Sequence, residues 1–177
     1  MVKHNKLPVN GAISTGEAVT ISEVATGHIT QFAGWDGFEP AVNAALQSFG
    51  LSLPADYRTA MRHENSVLWR IAPNRVLLQS AMPVDQASGD DMVVLNLSDA
   101  RRCLRLEGAG AAGLLARVMA IDFSASAFPV ETFVQAGMHN VGVLVDRKGD
   151  QTFDLLIPIT WTVSLCDLLT RHFGHAA

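Results

Sequence analysis

The stretch from Asn96 to Phe123, NLSDARRCLRLEGAGAAGLLARVMAIDF, constrains the fold more than any other part of the chain. From Arg101 to Glu107 the residues alternate, with Arg101, Cys103, Arg105 and Glu107 on one side and Arg102, Leu104 and Leu106 on the other. A period of two predicts a half-buried strand with one wet face. Gly108, Gly110 and Gly113 follow in the spacing G-x-G-x-x-G. Leu114, Leu115, Val118 and Met119 then recur at helical spacing, which predicts a short helix after the turn.

A strand, a glycine turn and a helix in this order can cradle the pyrophosphate of a dinucleotide at the helix N-terminus. The rest of that unit is missing. It needs a second parallel strand and an acid about 20 residues beyond the glycines to hold the ribose. Asp122 comes too early, at the helix exit. Glu131 stands near the right distance, but Phe128-Pro129 interrupts the approach to it. The competing reading is that small residues let the helix start sit tightly against its own strand. That reading is the better supported, and a nucleotide-binding module at Gly108 to Gly113 is kept as a rival.

The 177 residues allow one domain, or two small ones sharing a core. Charged residues make up 17%, below the roughly 25% of ordinary soluble domains. Mean hydropathy is +0.21, yet no apolar run approaches the about 18 residues of a membrane span. A large core or a surface covered by a partner would each account for this. With a net charge of −4 and a pI of about 5.8, no strong attraction to nucleic acid or to acidic membranes is expected. Cys103 and Cys166 form no metal-type spacing and read as free buried thiols of a reducing compartment. The N-terminal MVKHNKLPVNGAIS lacks an apolar signal core, so the expected location is cytoplasmic.

Along the chain, residues 1–26 mix Gly, Ser, Thr and charges with little periodicity and are expected to form an arm, with a single domain over 27–177. Gly27 to Ala33 reads as a strand. Phe38 to Phe49 reads as a helix with Phe38, Val42, Ala45, Leu46 and Phe49 on one face and Gly50 as its stop. Ser66 to Ala72 and Val76 to Ser80 form a hairpin around Pro73-Asn74. After a polar loop over Met82 to Asp91, the almost wholly apolar Met92 to Leu97 is expected as a central strand. Glu131 to Gly137 and Val141 to Asp146 are strands, Arg147 to Asp150 a hairpin turn, and Phe153 to Ile157 the returning strand. Thr160 is placed as the N-cap of a last helix reaching Phe173, with Trp161, Leu165, Leu168, Leu169 and His172 along one stripe. Hairpins dominate and helices are few. The fold class is therefore α+β with mostly antiparallel sheets, and the second half echoes the first as two ferredoxin-like lobes.

Four blocks carry a resemblance. SVLWRIAPNRVLLQS (Ser66 to Ser80) resembles the W-x-x-x-P-x-x-x-L-L hairpin of the gamma subunit of heterotetrameric sarcosine oxidase. VVLNLSDARRCLRLEGAGAAGLLARVMAIDF resembles that family's next block, an L-S turn, an L-R-L-x-G strand and a helix carrying L-L-A. AFPVETFVQAGMHNVGVLV (Ala127 to Val145) is similar to its following strands, and FDLLIPITWTVSLCDLL (Phe153 to Leu169) to its closing strand and helix. The resemblance runs from about Ile29 onward. It implies a fold like the folate-binding domain of aminomethyltransferases and a place beside alpha, beta and delta subunits. FAD, FMN, NAD, zinc and tetrahydrofolate would reside in those partners, with no cofactor in this one. The complex so implied demethylates sarcosine to glycine, forms hydrogen peroxide and passes the one-carbon unit to tetrahydrofolate. A stand-alone folate-binding or one-carbon-transfer protein of the same fold is the alternative, and an isolated chain could self-associate through the surface meant for its partners.

No residue of the chain is assigned a catalytic, cofactor-binding or metal-ligating role. His172 and His175 are three apart, but Gly174 stops the helix between them and no third ligand is evident. His139 falls at a strand junction and reads as a turn residue; His28 and His63 have no acid or nucleophile at a telling spacing. Asp90-Asp91 reads as a pair of solvated turn acids, and Ser98-Asp99 as a turn without a nucleophile elbow around it. Cys103 lies between Arg101 and Arg105, which could lower its pKa, although an inert thiol is the plainer reading.

Overall fold

A computed structural model describes residues 7–174. The chain forms two units. One takes the segment up to Ala25 together with everything from Arg102 onward, and the other is the intervening Thr26–Arg101. We call them the discontinuous lobe and the inserted lobe.

The chain opens with two strands where an arm was expected. Strand β1 (Val9–Ala12) pairs antiparallel with β2 (Ala18–Val24), Val9 opposite Ile21. β2 in turn pairs antiparallel with the strand Arg101–Glu107, placing Ile21 opposite Leu106 and Val24 opposite Cys103. Val19 and Ile21 are buried in the core with Leu104 and Leu106. The arm expectation is therefore corrected over residues 9–24, and residues 1–6 lie outside the described part. Alternation in AVTISEV is short, and the partner that makes it a strand lies far downstream, so the backbone hydrogen bonds that hold it are non-local. The lobe boundaries likewise replace the expected single domain over 27–177.

The inserted lobe holds β3 (His28–Gly34), α1 (Phe38–Leu46), β4 (Met61–His63), β5 (Ser66–Ala72), β6 (Arg75–Ser80) and β7 (Met92–Asn96), in the sheet order β4-β5-β6-β3-β7 with every pairing antiparallel. Phe38, Val42, Ala45 and Leu46 face Phe32, Leu68, Val76, Leu78 and Met92. Each of these side chains larger than alanine contributes roughly 1.5–3 kcal/mol by leaving water. The helix tightens into a 3₁₀ turn over Gln47–Phe49, and Gly50, at φ 65°, ends it in a conformation that suits glycine. β7 is an edge strand, not the central one expected. Its apolar run reflects two apolar faces, not two strand neighbours. The polar loop folds back over the open edge: Val94 N donates to Ser88 Oγ at 2.9 Å, and Gly89 N donates to Met92 O at 2.8 Å.

The discontinuous lobe continues with β8 (Arg101–Glu107), α2 (Ala111–Val118), β9 (Phe133–Met138), β10 (Val141–Gly149), β11 (Thr152–Pro158) and α3 (Thr162–Thr170), in the sheet order β1-β2-β8-β11-β10-β9. Leu114 and Leu115 of α2 and Leu165 and Leu169 of α3 pack against Leu104, Val143, Phe153 and Leu155. β9 begins later than expected because Glu131 takes φ 67°, outside the strand region. β10 runs through Gly149, so the expected hairpin turn at Arg147 to Asp150 moves to Asp150-Gln151, with a bulge between Arg147 and Gly149. α3 starts after a 3₁₀ turn over Ile159–Trp161 and not from a Thr160 cap, and it ends at Thr170.

Each lobe contains one buried arginine just before a bulged hairpin turn. Arg70 Nη2 donates to Pro73 O at 2.8 Å and to Glu39 Oε1 at 2.5 Å, Nη1 donates to Pro54 O at 2.9 Å, and the guanidinium lies 5.2 Å from the Tyr57 ring centre. Arg147 Nη2 donates to Asp150 O at 2.5 Å and Nη1 to Phe128 O at 2.6 Å, with the guanidinium 5.1 Å from the Phe153 ring centre. The planar fork suits both tasks, since it can reach several carbonyls at once while its faces rest on a ring.

Candidate functional site

The glycine turn after β8 is the sharpest motif in the sequence, and the chain itself fills it. Gly108 stands at φ 120°, and a Cβ there would come within 2.5 Å of Ala18 O. A Cβ on Gly110 would come within 2.6 Å of Glu17 O, and one on Gly113 within 2.8 Å of Ile13 Cδ1. The amides are engaged as well. Gly108 N donates to Gln151 O at 3.0 Å, Gly110 N to Ala18 O at 2.9 Å and Ala111 N to Gly108 O at 3.0 Å. A phosphate needs those same N–H groups. Carbonyl oxygens already occupy the cradle and would repel an anion, so the rival nucleotide reading fails here. Asp122 accepts from Ser124 N at 2.8 Å, which holds its carboxyl below the usual range, and closes a local turn. Glu131 is exposed at its positive-φ position.

The face of the β8 strand expected to be wet is partly buried. Cys103 is 5% exposed. Arg105 makes a two-pronged ion pair with Asp154 of β11, Nε to Oδ1 at 2.7 Å and Nη2 to Oδ2 at 2.8 Å. Burial pushes the Cys103 thiol well above its ordinary range, and the Asp154 charge adds to the rise. Arg105 pulls the other way and is outweighed. The geometry agrees with the plainer reading of an inert thiol, since Asp154 already neutralises the arginine that would have favoured a thiolate. Burial also raises Cys166, to about 11. Neither thiol is a nucleophile at neutral pH.

The other candidates are scattered. His139 and Asn140, at φ 45° and 69°, form the two-residue turn between β9 and β10, a geometry that fixes hairpin register. His63 ends β4, with its ring packed so closely on Gly50 that a Cβ there would lie 2.6 Å from Nε2. His172 follows α3, and His175 lies outside the described residues. Asp91 is a structural residue: its carbonyl accepts Trp35 N at 3.2 Å, and its carboxylate fills the space beside Gly37 at the start of α1. Asp90 is exposed. Ser98 accepts Ile29 N on Oγ at 3.1 Å and donates to Asn96 Oδ1 at 2.6 Å, so it locks a turn. Among the described residues no three His, Cys, Asp or Glu side chains gather as a metal site requires, and no helix is long and apolar enough to cross a membrane.

Two hollows open in the inserted lobe. The larger, of about 510 Å³, is lined by the end of α1 at Ser48 to Gly50, the β4–β5 turn with His63 and Glu64, and Ser80 to Met82. The smaller, of about 190 Å³, is lined by His28, Thr30, Asn96, Gln86 and the apolar Pro83, Val84 and Val94. Asp146 is a buried acid, 1% exposed, on β10 and lines neither hollow.

With this geometry in view, the class of fold is defined by two solved structures. A chain of the heterotetrameric sarcosine oxidase from Corynebacterium sp. U-96, in complex with pyrrole 2-carboxylate, superposes with a TM-score of 0.74 at 24% identity, over 90% of this chain and 88% of that one. The glycine cleavage system aminomethyltransferase T from Bartonella henselae superposes with a TM-score of 0.56 at 19% identity, over 84% of this chain and 44% of that one. The fold is thus the α+β fold with mostly antiparallel sheets of the aminomethyltransferase type. No match was found among curated proteins. Residues 34–169, well over half of the chain, match the sarcosine oxidase gamma subunit family, and the chain belongs to that family.

Proposed function

We propose that this chain is the gamma subunit of a heterotetrameric sarcosine-oxidase-type assembly and that it contributes structure rather than reacting groups. The family match over residues 34–169 carries the reading. The side-chain chemistry supports it: both thiols are held protonated, the glycine cradle is filled by carbonyls, and the buried arginines hold loops. Alpha, beta and delta subunits are the partners proposed. FAD, FMN, NAD, zinc and tetrahydrofolate belong to them in this reading. The assembly would oxidise sarcosine to glycine with release of hydrogen peroxide and transfer the one-carbon unit to tetrahydrofolate.

Exposed apolar side chains add support, with Ile159, Trp161 and Val163 standing within five residues of one another at the start of α3. Such a group is a surface that a partner would cover. The test is purification of the tagged chain from its native cells, reading flavin absorbance, zinc and sarcosine-dependent peroxide in the eluate. A yellow, zinc-containing preparation with three further chains agrees with the proposal. A colourless chain that elutes alone contradicts it.

A further inference from the structure

The smaller hollow in the inserted lobe has the makings of a ligand site that the assembly role does not use. It arises because α1 is shorter than the sheet it covers. Nine residues of helix span about 13 Å, whereas the seven residues of β3 span about 23 Å. The helix covers the Phe32 and Met92 end of that face. At the other end, His28 and Thr30 of β3 and Asn96 of β7 point the same way as Phe32, because residues two apart share a face. Thr30 and Asn96 are directly opposite each other across the strand pair. The loop at Pro83 to Gln86 forms the remaining wall.

Three features of the lining select a ligand. First, Thr30 is 4% exposed and its hydroxyl has no side-chain hydrogen bond among the described residues, although it lines the hollow. That hydroxyl is therefore free to donate to a molecule in the hollow. Second, Asn96 Oδ1 accepts from both Ser98 N at 3.0 Å and Ser98 Oγ at 2.6 Å. The backbone N–H fixes which end of the amide is the oxygen, so the donor –NH₂ is the end left over. Third, no carboxylate lines the hollow, whereas His28 and Gln86 add further donors beside apolar Pro83, Val84 and Val94. The polar half can turn several donors toward an anion and carries no fixed negative charge among its side chains. About 10–15 Å³ of such space is enough for one water, so 190 Å³ admits a molecule of several non-hydrogen atoms.

We propose that this hollow binds a short-chain monocarboxylate, its carboxylate received by Thr30, Asn96 and His28 and its alkyl part lying on Val84 and Val94. The proposal goes beyond the assembly reading and stands without it. The test titrates butyrate, at constant ionic strength, into the ¹⁵N-labelled full chain and follows the amide signals, with butylammonium as the matched cation. The expected result is saturable shifts confined to the neighbourhood of residues 28–30, 83–86 and 94–96, with butylammonium giving none. Asn96→Asp keeps the oxygen that Ser98 bonds and replaces the donor with a negative charge, and is expected to weaken butyrate at least about tenfold. Thr30→Val keeps the β-branched shape without the hydroxyl and is expected to weaken it about fivefold. A spectrum as dispersed as that of the parent chain establishes that each variant is folded. Shifts that do not saturate, equal response to butylammonium, an Asn96→Asp variant that binds as before, or a hollow that takes only water each overturn the proposal.

Discussion

The two lobes build the same corner twice and fill it with different groups. In the inserted lobe β3 ends at Gly34, Trp35 to Gly37 turn, and α1 begins; in the discontinuous lobe β8 ends at Glu107, Gly108 to Gly110 turn, and α2 begins. At the first corner the space beside Gly37 is taken by the Asp91 carboxylate, an anion at a helix start where the helix dipole favours it. At the second it is taken by the carbonyl oxygens of Glu17 and Ala18, the latter accepting from Gly110 N of the turn itself. A glycine-rich strand-to-helix turn therefore says that something comes close to the backbone. Whether that something is a phosphate, a side chain or another strand depends on what else the fold brings there.

Substitution at the two corners should break them unequally. Gly110→Ala drives a methyl into backbone oxygens that β2 cannot move without losing its pairing, and Gly108→Ala adds the strain of φ 120°. Each is expected to cost about 3 kcal/mol or more in urea unfolding. Gly37→Ala meets only a carboxylate that can swing away, so strain at φ 84° dominates and about 1–2 kcal/mol is expected. Equal losses at both corners would remove the distinction.

The buried arginines sharpen the same contrast. Arg147 holds backbone carbonyls of Phe128, Gly149 and Asp150, and Arg147→Ala leaves them unsatisfied in a buried place, about 3 kcal/mol. Arg70→Ala also strands Glu39, but that carboxylate is 61% exposed and water can take it up, so a smaller loss of about 2 kcal/mol is expected. Lysine should restore little at either position, having no planar fork. Asp91→Ala, which removes the charge beside α1 without disturbing its backbone contact to Trp35, is expected to cost about 0.5–1 kcal/mol.

The smallest effect concerns the thiols. Cys166 is raised to about 11 and Cys103 higher still, against roughly 8.5 in the unfolded chain. Folded-state pKa values above the unfolded one mean a contribution present below about pH 8.5 and lost as pH rises through the folded values. The native protein at pH 8 should react with a thiol reagent far more slowly than the unfolded protein, and its stability should begin to fall only on the alkaline side. Fast labelling of Cys103 at pH 8 would reverse the conclusion that Asp154 and burial outweigh Arg105.

Much of this architecture was legible in the sequence, because local signals carry hairpins and amphipathic helices. Pro73-Asn74 and Arg147 to Asp150 located two hairpins, the second offset by the bulge that Lys148 creates. The stripe Phe38, Val42, Ala45 and Leu46 located α1. Non-local pairing was not legible. Ala18–Val24 looked like an arm since its partner is β8, and Met92 to Leu97 looked central since apolar residues on both faces read the same whether a strand has one neighbour or two. The site behaved likewise. The glycines, the thiol beside arginines and the paired acids were visible as residue types, but Ala18 O, Asp154 and Gly37, which decide their chemistry, come from elsewhere in the fold. The hollow at Thr30 had no signal in the sequence, because a threonine in a strand is ordinary until the fold is seen to leave a hollow beside it.

In the proposed assembly this chain works as one subunit among others. Native mass spectrometry of the tagged chain, purified gently from its own cells, tests it most directly. The predicted result is a single particle containing this 19.0 kDa chain once, together with three different chains. A spectrum of the free chain, or of copies of this chain alone, would contradict it.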